Sequence, residues 1–225
     1  LTGILVDNAI LLVEEHIPEI DDELAIRYFS DLQKTCFSYG LTSLHDCGIS
    51  EETLELLEKA QSQNVLKMKI FALMKDDPDY YDRWIKKGRY TNKNITVGGF
   101  KVYSDGALGS RGACLNHDYA DKKGWKGFLL SDRKHFEDLA KKLKNSNLQM
   151  CTHAIGDSAN RPILQITGEV LGIKNDRRWR IEHAQIVDKN DFDLFGKYSI
   201  IPSVQPTHAT SDMYWAEERL GKERL

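Results

Sequence analysis

Short apolar stretches rich in β-branched residues alternate along the chain with longer stretches in which apolar residues recur every three or four positions. The first pattern predicts strands and the second predicts amphipathic helices. The predicted strands cover 41–45, 65–74, 95–104, 148–154, 179–183 and 199–205. The predicted helices cover 21–39, 51–63 with Ser50 as N-cap, 79–88, 132–145, 158–171, 189–196 and 213–220.

The order of these elements is one helix followed by six repeats of a strand and a helix. Such alternation predicts an α/β protein with a parallel sheet and helices outside it. Short apolar strands fit a sheet that is buried on both faces. Two architectures remain open, a doubly wound sheet and a (β/α)8 barrel that lacks some units. No linker or low-complexity segment is apparent, so we predict one domain over 1–225.

Composition places the chain among ordinary globular proteins. Its 225 residues are 41% hydrophobic and 29% charged, and the net charge of −3 does not favour nucleic acid as a partner. The sequence contains no apolar run of about 18 residues, so we predict no membrane-spanning helix. The four cysteines form no CxxC pair, which predicts free thiols and a cytoplasmic location. The chain begins with Leu1 rather than methionine, which weakens any statement about targeting.

Histidines recur where the predicted strands end. His45, His153, His183 and His208 stand at or near the carboxyl ends of four strands. A parallel α/β barrel builds its active site at that end of its strands. A single strand-end histidine is more often a hydrogen-bonded structural residue, but four at the same end favour a site. Converging imidazoles are natural metal ligands.

Two charged residues mark the strand predicted over 95–104. Lys101 lies inside this apolar strand, and Asp105 follows its end. A charged group is costly to bury unpaired, so Lys101 is either a functional amine or an ammonium paired with Asp105. The glycine-rich loop 105–112 lacks the Gly-Lys-Ser/Thr ending of a P-loop. We expect it to be a substrate loop with Arg111 as a polar contact, or a plain turn. A doubly wound phosphate- or ligand-binding domain stays open as an alternative.

Five segments together resemble the YtcJ-like branch of the amidohydrolase superfamily, amidohydrolase family 3. They are GLTSLHD at 40–46, FKVYSDGALGSR at 100–111, THAIGD at 152–157, RIEHAQ at 180–185 and SVQPTH at 203–208. They occur in the family's order and cover nearly the whole chain. The resemblance implies an incomplete (β/α)8 TIM barrel with about strands two to seven present. It also implies a metal-dependent hydrolase that cleaves an amide, formamide or cyclic amide C–N bond in a small molecule.

The resemblance also implies a metal site. His153 and His183 match metal ligands of the family, and Lys101 matches a lysine that is often carboxylated and bridges two metals. Desolvation lowers the pKa of a lysine amine, which lets the neutral amine add carbon dioxide. In the full-length enzyme we expect one or two divalent metal ions, with Zn²⁺ as the first choice, and metal-bound hydroxide attacking the carbonyl. Asp105, Arg111 and His208 are the expected substrate contacts, and for His208 a place on the rim of the site stays open.

The chain also departs from the family pattern. It contains no His-x-His pair, and it ends one helix after the strand that would be the seventh. The aspartate that follows strand eight in the family therefore has no counterpart here, and the catalytic residue is unknown. We expect an internal fragment that is inactive alone and binds metal weakly or not at all. Its open edges are expected to pair with another chain, for instance in a homo-oligomer, and neither nucleic acid nor a membrane is an expected partner.

Overall fold

The computed structural model describes residues 3–5, 7–14, 16–18 and 20–225. Residues 1, 2, 6, 15 and 19 belong to the domain predicted over 1–225 but lie outside this described part. The chain divides into two compact units. The N-terminal unit holds 8–101 with 146–148, and the C-terminal unit holds 1–7, 102–145 and 149–225. The single domain stays a prediction.

The N-terminal unit is built on parallel strands. Its strands are β1 (Ser43–Ile49), β2 (Lys69–Met74), β3 (Tyr90–Asn92) and β4 (Ile95–Tyr103), the last of which ends in the other unit. Its helices are α1 (Leu11–Glu14) after the 3-10 turn Asp7–Ile10, α2 (Asp22–Ser38), α3 (Glu51–Ser62) and α4 (Pro78–Lys87). Strand β2 lies between β1 and β4 and is parallel to both. Strand β3, which pairs antiparallel with β4, was not predicted from the sequence.

Local side chains fix where the helices of this unit begin. The carboxylate of Asp21 accepts the N–H of Leu24 at 2.7 Å, and the hydroxyl of Ser50 accepts the N–H of Thr53 at 3.2 Å. Each bond satisfies one N–H that the first helical turn leaves without a partner. Pro78 occupies the first turn of α4, where its missing N–H costs nothing. Of these three starts, the Ser50 cap was predicted from the sequence, and the other two were predicted to within one residue.

The strands of this unit differ in burial. Strands β2 and β4 are mostly buried, as expected for parallel strands covered on both faces. Strand β1 is mostly exposed, and among the described strands it pairs only with β2. It runs over Ser43–Ile49 rather than 41–45, so His45 lies inside the strand instead of near its end. Its ring stacks on Phe71 at 4.7 Å between centroids.

The C-terminal unit repeats the strand–helix order. Its parallel strands are β5 (Gln149–Ala154), β6 (Arg180–His183) and β7 (Ile201–Ser203). Its helices are α5 (Arg133–Leu143), α6 (Asp157–Leu171), α7 (Phe192–Lys197), α8 (His208–Ser211) and α9 (Ala216–Leu220), with 3-10 turns at Lys189–Asp191 and Lys222–Arg224. The register sets Ala154 beside His183 and Glu182 beside Ser203, so the carboxyl ends of the three strands are nearly level.

The segment between β4 and α5 is a packed part of the C-terminal unit. Leu108, Leu115 and Tyr119 from this segment form a buried cluster with Ile155 and Leu220. The tyrosine hydroxyl donates to the carbonyl of Ala113 at 2.8 Å. The segment is thereby held against the start of α6 and the end of α9.

None of the helices in the described part of the chain is long and apolar enough to cross a membrane.

Candidate functional site

Two histidines meet at the carboxyl ends of β5 and β6. The ring centroids of His153 and His183 lie 4.6 Å apart, with the ring planes at 68°. The two strands are parallel neighbours, and His183 pairs in register with Ala154, the residue after His153. Parallel pairing therefore brings two imidazoles, distant in sequence, to one place. The side chain of His153 is 13% exposed, so the protein encloses most of it.

A third histidine lies next to His183. His208 is the first residue of α8, and its ring centroid lies 6.3 Å from that of His183. A surface pocket of about 240 Å³ opens beside these two rings. Its lining also includes Gln185, Gln205 and Pro206. Three of the four histidines singled out in the sequence thus share one surface of the C-terminal unit, while His45 belongs to the N-terminal unit.

The backbone at the end of β6 is strained. His183 has a φ of +73° and Ala184 a φ of +43°, both in the left-handed region that favours glycine. Two consecutive non-glycine residues there are held by their surroundings, which is typical of functional sites. A hydrogen bond between Nδ1 of His183 and Oε1 of Gln205 supports the strained turn. Gln205 belongs to the segment SVQPTH, but the sequence alone indicated no role for it.

A second polar contact closes the same turn onto α8. Gln185 Nε2 donates to Asp212 Oδ2 at 2.7 Å, and the hydroxyl of Ser211 donates to Asp212 Oδ1 at 2.8 Å. These bonds tie the residues after His183 to the helix that carries His208.

Asp105 lies beside His153 and is completely buried, at 0% exposure. Its Oδ1 is 3.6 Å from Nε2 of His153. Burial raises the pKa of the Asp105 carboxyl to about 6, although N–H donors from Ile155, Cys114 and Gly156 act to lower this pKa. The predicted substrate contact is therefore enclosed by its own chain.

Tyr103, the last residue of β4, also contacts His153. Its ring centroid lies 5.8 Å from that of the histidine, and the side chain is 38% exposed. Tyr103 was not predicted as a site residue, because an aromatic residue at a strand end is ordinary. Its place beside His153 follows from the main chain, where the N–H of Ser104 donates to the carbonyl of His153 at 2.9 Å.

Lys101 and Arg111 complete the set of predicted site residues. Lys101 is 4% exposed within β4 and belongs to the N-terminal unit. Arg111 donates twice to Asp121, from Nε at 3.1 Å and from Nη2 at 2.7 Å, and Arg219 pairs with the same carboxylate. This bidentate pair is a strong charge-assisted contact within the segment. The metal and substrate roles of these residues stay predictions.

The glycine-rich loop does not form a cradle for phosphate. The N–H groups of Gly106, Arg111, Gly112 and Ala113 donate to carbonyls inside the loop, at 2.9 to 3.2 Å. A phosphate loop would point such groups at a common anion instead. Within the described residues, no group of three or more His, Cys, Asp or Glu side chains is arranged to hold a metal ion.

The whole chain matches the sequence model of a known protein family. A family model described as the amidohydrolase family matches residues 1–225. The chain belongs to the amidohydrolase family. YtcJ of Bacillus subtilis (strain 168), whose name assigns it as an amidohydrolase, is 28% identical over all of this chain. The protein LONG AFTER FAR-RED 3 of Arabidopsis thaliana is 30% identical over 99% of it.

Two solved structures show the fold of this family member. Both are uncharacterised metal-dependent hydrolases, from Pyrococcus furiosus and Pyrococcus horikoshii OT3. They match 96% of the chain with TM-scores of 0.83 and 0.82, at 26% and 28% identity. The incomplete (β/α)8 barrel predicted from sequence is confirmed, and the doubly wound sheet is set aside. The chain spans 43% and 41% of the two curated relatives, and 44% and 43% of the two solved chains.

Proposed function

We propose that the protein to which this chain belongs is a metal-dependent hydrolase that cleaves a C–N bond in an amide, formamide or cyclic amide. The observation that carries the proposal is the pair of imidazoles, His153 and His183, 4.6 Å apart at the carboxyl ends of neighbouring strands. Membership of the amidohydrolase family and likeness to metal-dependent hydrolases support the same chemistry.

The donor set fits a divalent metal. Two neutral imidazoles suit Zn²⁺ and similar ions, and a catalytic site needs further ligands and one open position. In this proposal His153 and His183 supply two ligands. Lys101 enters through the family resemblance, as a carboxylated lysine, and the remaining ligands come from outside the described residues. This chain alone would therefore bind metal poorly and be inactive.

The chemistry divides between the ion and the chain. A bound divalent metal would supply hydroxide from water near neutral pH and polarise the carbonyl of the substrate. Gln205 would hold the ring of His183 in one orientation through its contact with Nδ1. Tyr103 would shield one side of His153 from water.

The substrate would enter beside His183 and His208. The pocket of about 240 Å³ at these rings has room for part of a small molecule. His208 would contact the substrate there, next to the strained backbone of His183. Arg111 would take part only if its pairing with Asp121 opened, because both carboxylate oxygens now accept from it.

An activity screen tests the proposal on the whole protein. Purified protein would be assayed against N-acyl, N-formyl and cyclic amide compounds, with matched esters as controls, before and after treatment with a chelator. We expect turnover of a C–N substrate that the chelator abolishes and added Zn²⁺ restores. Turnover that survives removal of the metal, or turnover of esters alone, would overturn the proposal.

Carboxylation of Lys101 needs a separate test. The whole protein would be equilibrated with ¹³C-labelled bicarbonate, and its carbamate carbon observed by NMR. We expect one carbamate signal that Lys101→Arg removes and that Lys69→Arg, on an exposed position of β2, leaves in place. A spectrum without the signal, or a signal that survives Lys101→Arg, would exclude the carbamate.

A further inference from the structure

The buried carboxylate of Asp105 collects three backbone N–H groups. Its Oδ1 accepts from Ile155 at 2.9 Å, and its Oδ2 accepts from Cys114 and Gly156 at 2.8 Å each. The side chain has no exposed surface. Both oxygens are therefore engaged by the chain itself, which leaves a substrate no path to either of them.

The three donors show which parts of the chain the carboxylate joins. Ile155 and Gly156 connect β5 to α6, directly after the strand that carries His153. Cys114 lies in the segment between β4 and α5, and its carbonyl accepts the N–H of Ser158 at 3.1 Å. Asp105 thus fastens the end of β5 to the segment that follows β4.

His153 is held on both sides by this arrangement. Its carbonyl accepts the N–H of Ser104, the residue before Asp105, and the two residues that follow Ala154 donate to the Asp105 carboxylate. Its ring nitrogen Nε2 lies 3.6 Å from the same carboxylate. The fixed backbone sets the direction in which the His153 side chain leaves the strand, and the 13% exposure of that side chain shows that the protein encloses most of it.

We propose that Asp105 is a positioning residue that locks the end of β5 and thereby fixes the imidazole of His153 toward His183. The metal-binding consequence rests on the proposed function, whereas the backbone lock does not. Asp105 therefore has a positioning role in this proposal and does not contact the substrate. In Asp105→Asn one carboxylate oxygen becomes an amide nitrogen, which cannot accept a hydrogen bond. Either the N–H of Ile155 or the N–H groups of Cys114 and Gly156 would then lose their acceptor.

The test compares Asp105→Asn with Asp157→Asn in the whole protein. Asp157 is a matched control, because it is also buried and accepts backbone N–H groups, from Asn116 at 2.8 Å and Ser158 at 3.0 Å. Amide hydrogen exchange would be followed at Ile155 and Gly156, and Co²⁺ affinity by its visible absorption. We expect Asp105→Asn to speed exchange at Ile155 or at Gly156, whichever amide loses its acceptor oxygen, and to weaken Co²⁺ binding about 10- to 100-fold.

The outcomes separate the lock from the metal site. Amide exchange at Ile155 and Gly156 that stays unchanged in Asp105→Asn would overturn the proposal. So would an equal increase in exchange at these two amides in Asp157→Asn. If Asp105→Asn bound Co²⁺ more weakly while its amide exchange matched that of the wild type, the proposal would be overturned as well. The effect on metal binding would then not act through the backbone. If the wild-type protein binds no Co²⁺, the proposed function fails, and the exchange measurement alone decides on the lock.

A measurement on the unaltered protein covers the case in which Asp105→Asn does not fold. In the wild type, the amides of Ile155 and Gly156 should exchange as slowly as those of the buried residues Met150 and Cys151 in β5. Fast local exchange at Ile155 and Gly156 in an otherwise protected strand would contradict the lock without any substitution.

Discussion

The ring centroids of His153 and His183 lie 4.6 Å apart, although the two residues belong to different strands and are separated by a complete helix. Parallel pairing of β5 with β6 creates this proximity, because the carboxyl ends of parallel strands meet at one edge of a sheet. The same relationship makes the metal proposal testable by single substitutions.

Replacing either histidine by alanine should remove divalent metal from the whole protein. Loss of a ligand should weaken binding more than the loss of an outer partner, so we expect His153→Ala and His183→Ala each to raise the Kd for Zn²⁺ by more than about 100-fold. His117→Ala, at an exposed position, is the matched control and should bind as the wild type does. Metal analysis and Zn²⁺ titration make the measurement, and equal Kd values for all three variants would refute the assignment.

Gly156→Ala should disturb the site through the backbone. A Cβ at this position would lie 1.9 Å from the carbonyl oxygen of Cys114, which cannot give way as a flexible side chain can. We expect a loss of about 1–3 kcal/mol in the free energy of unfolding, together with weaker metal binding. Gly196→Ala in α7, where nothing lies within 4 Å, should instead be neutral or stabilising by up to about 1 kcal/mol. Urea unfolding of both variants would show whether the close approach is required.

Glu182→Gln should destabilise the C-terminal unit. Arg180 Nε and Glu182 Oε1 are 2.8 Å apart on β6, with side chains only 9% and 10% exposed. Removing one charge leaves the other buried, and we expect a cost of about 3 kcal/mol in the free energy of unfolding. The comparison is Asp176→Asn, whose pair with Arg178 is largely exposed and should contribute less than about 1 kcal/mol. Similar unfolding midpoints for the two variants would show that burial does not govern the pair.

Asp132→Ala should weaken the start of α5. The carboxylate of Asp132 accepts the N–H of His135 at 2.8 Å as the N-cap. Losing such a cap typically costs about 1 kcal/mol. Asp138→Ala on the same helix removes an exposed pair with Lys134 and should cost about 0.5 kcal/mol or less. Thermal unfolding that ranks the two variants in the opposite order would contradict the cap assignment.

Local patterns predicted most of the secondary structure. The helix predicted over 21–39 is observed as Asp22–Ser38, and the strand predicted over 179–183 as Arg180–His183. Caps and apolar periodicity act within a few residues, so they can be identified without knowledge of the fold. The strand predicted over 41–45 was misplaced, because its bounds depend on its register with β2. The three-residue β3 was missed for the same reason, since only its pairing with β4 defines it.

The candidate site shows the same division. The sequence by itself determined the chemical types at the strand ends, because the histidines and the lysine are unusual in apolar strands, and it determined the family through the order of five short segments. Only the tertiary structure decided which of these side chains meet. The fold places the rings of His153, His183 and His208 next to one another, and it buries Asp105 among backbone N–H groups. Such contacts depend on strand register and on the path of a long segment, which no local pattern of residues encodes.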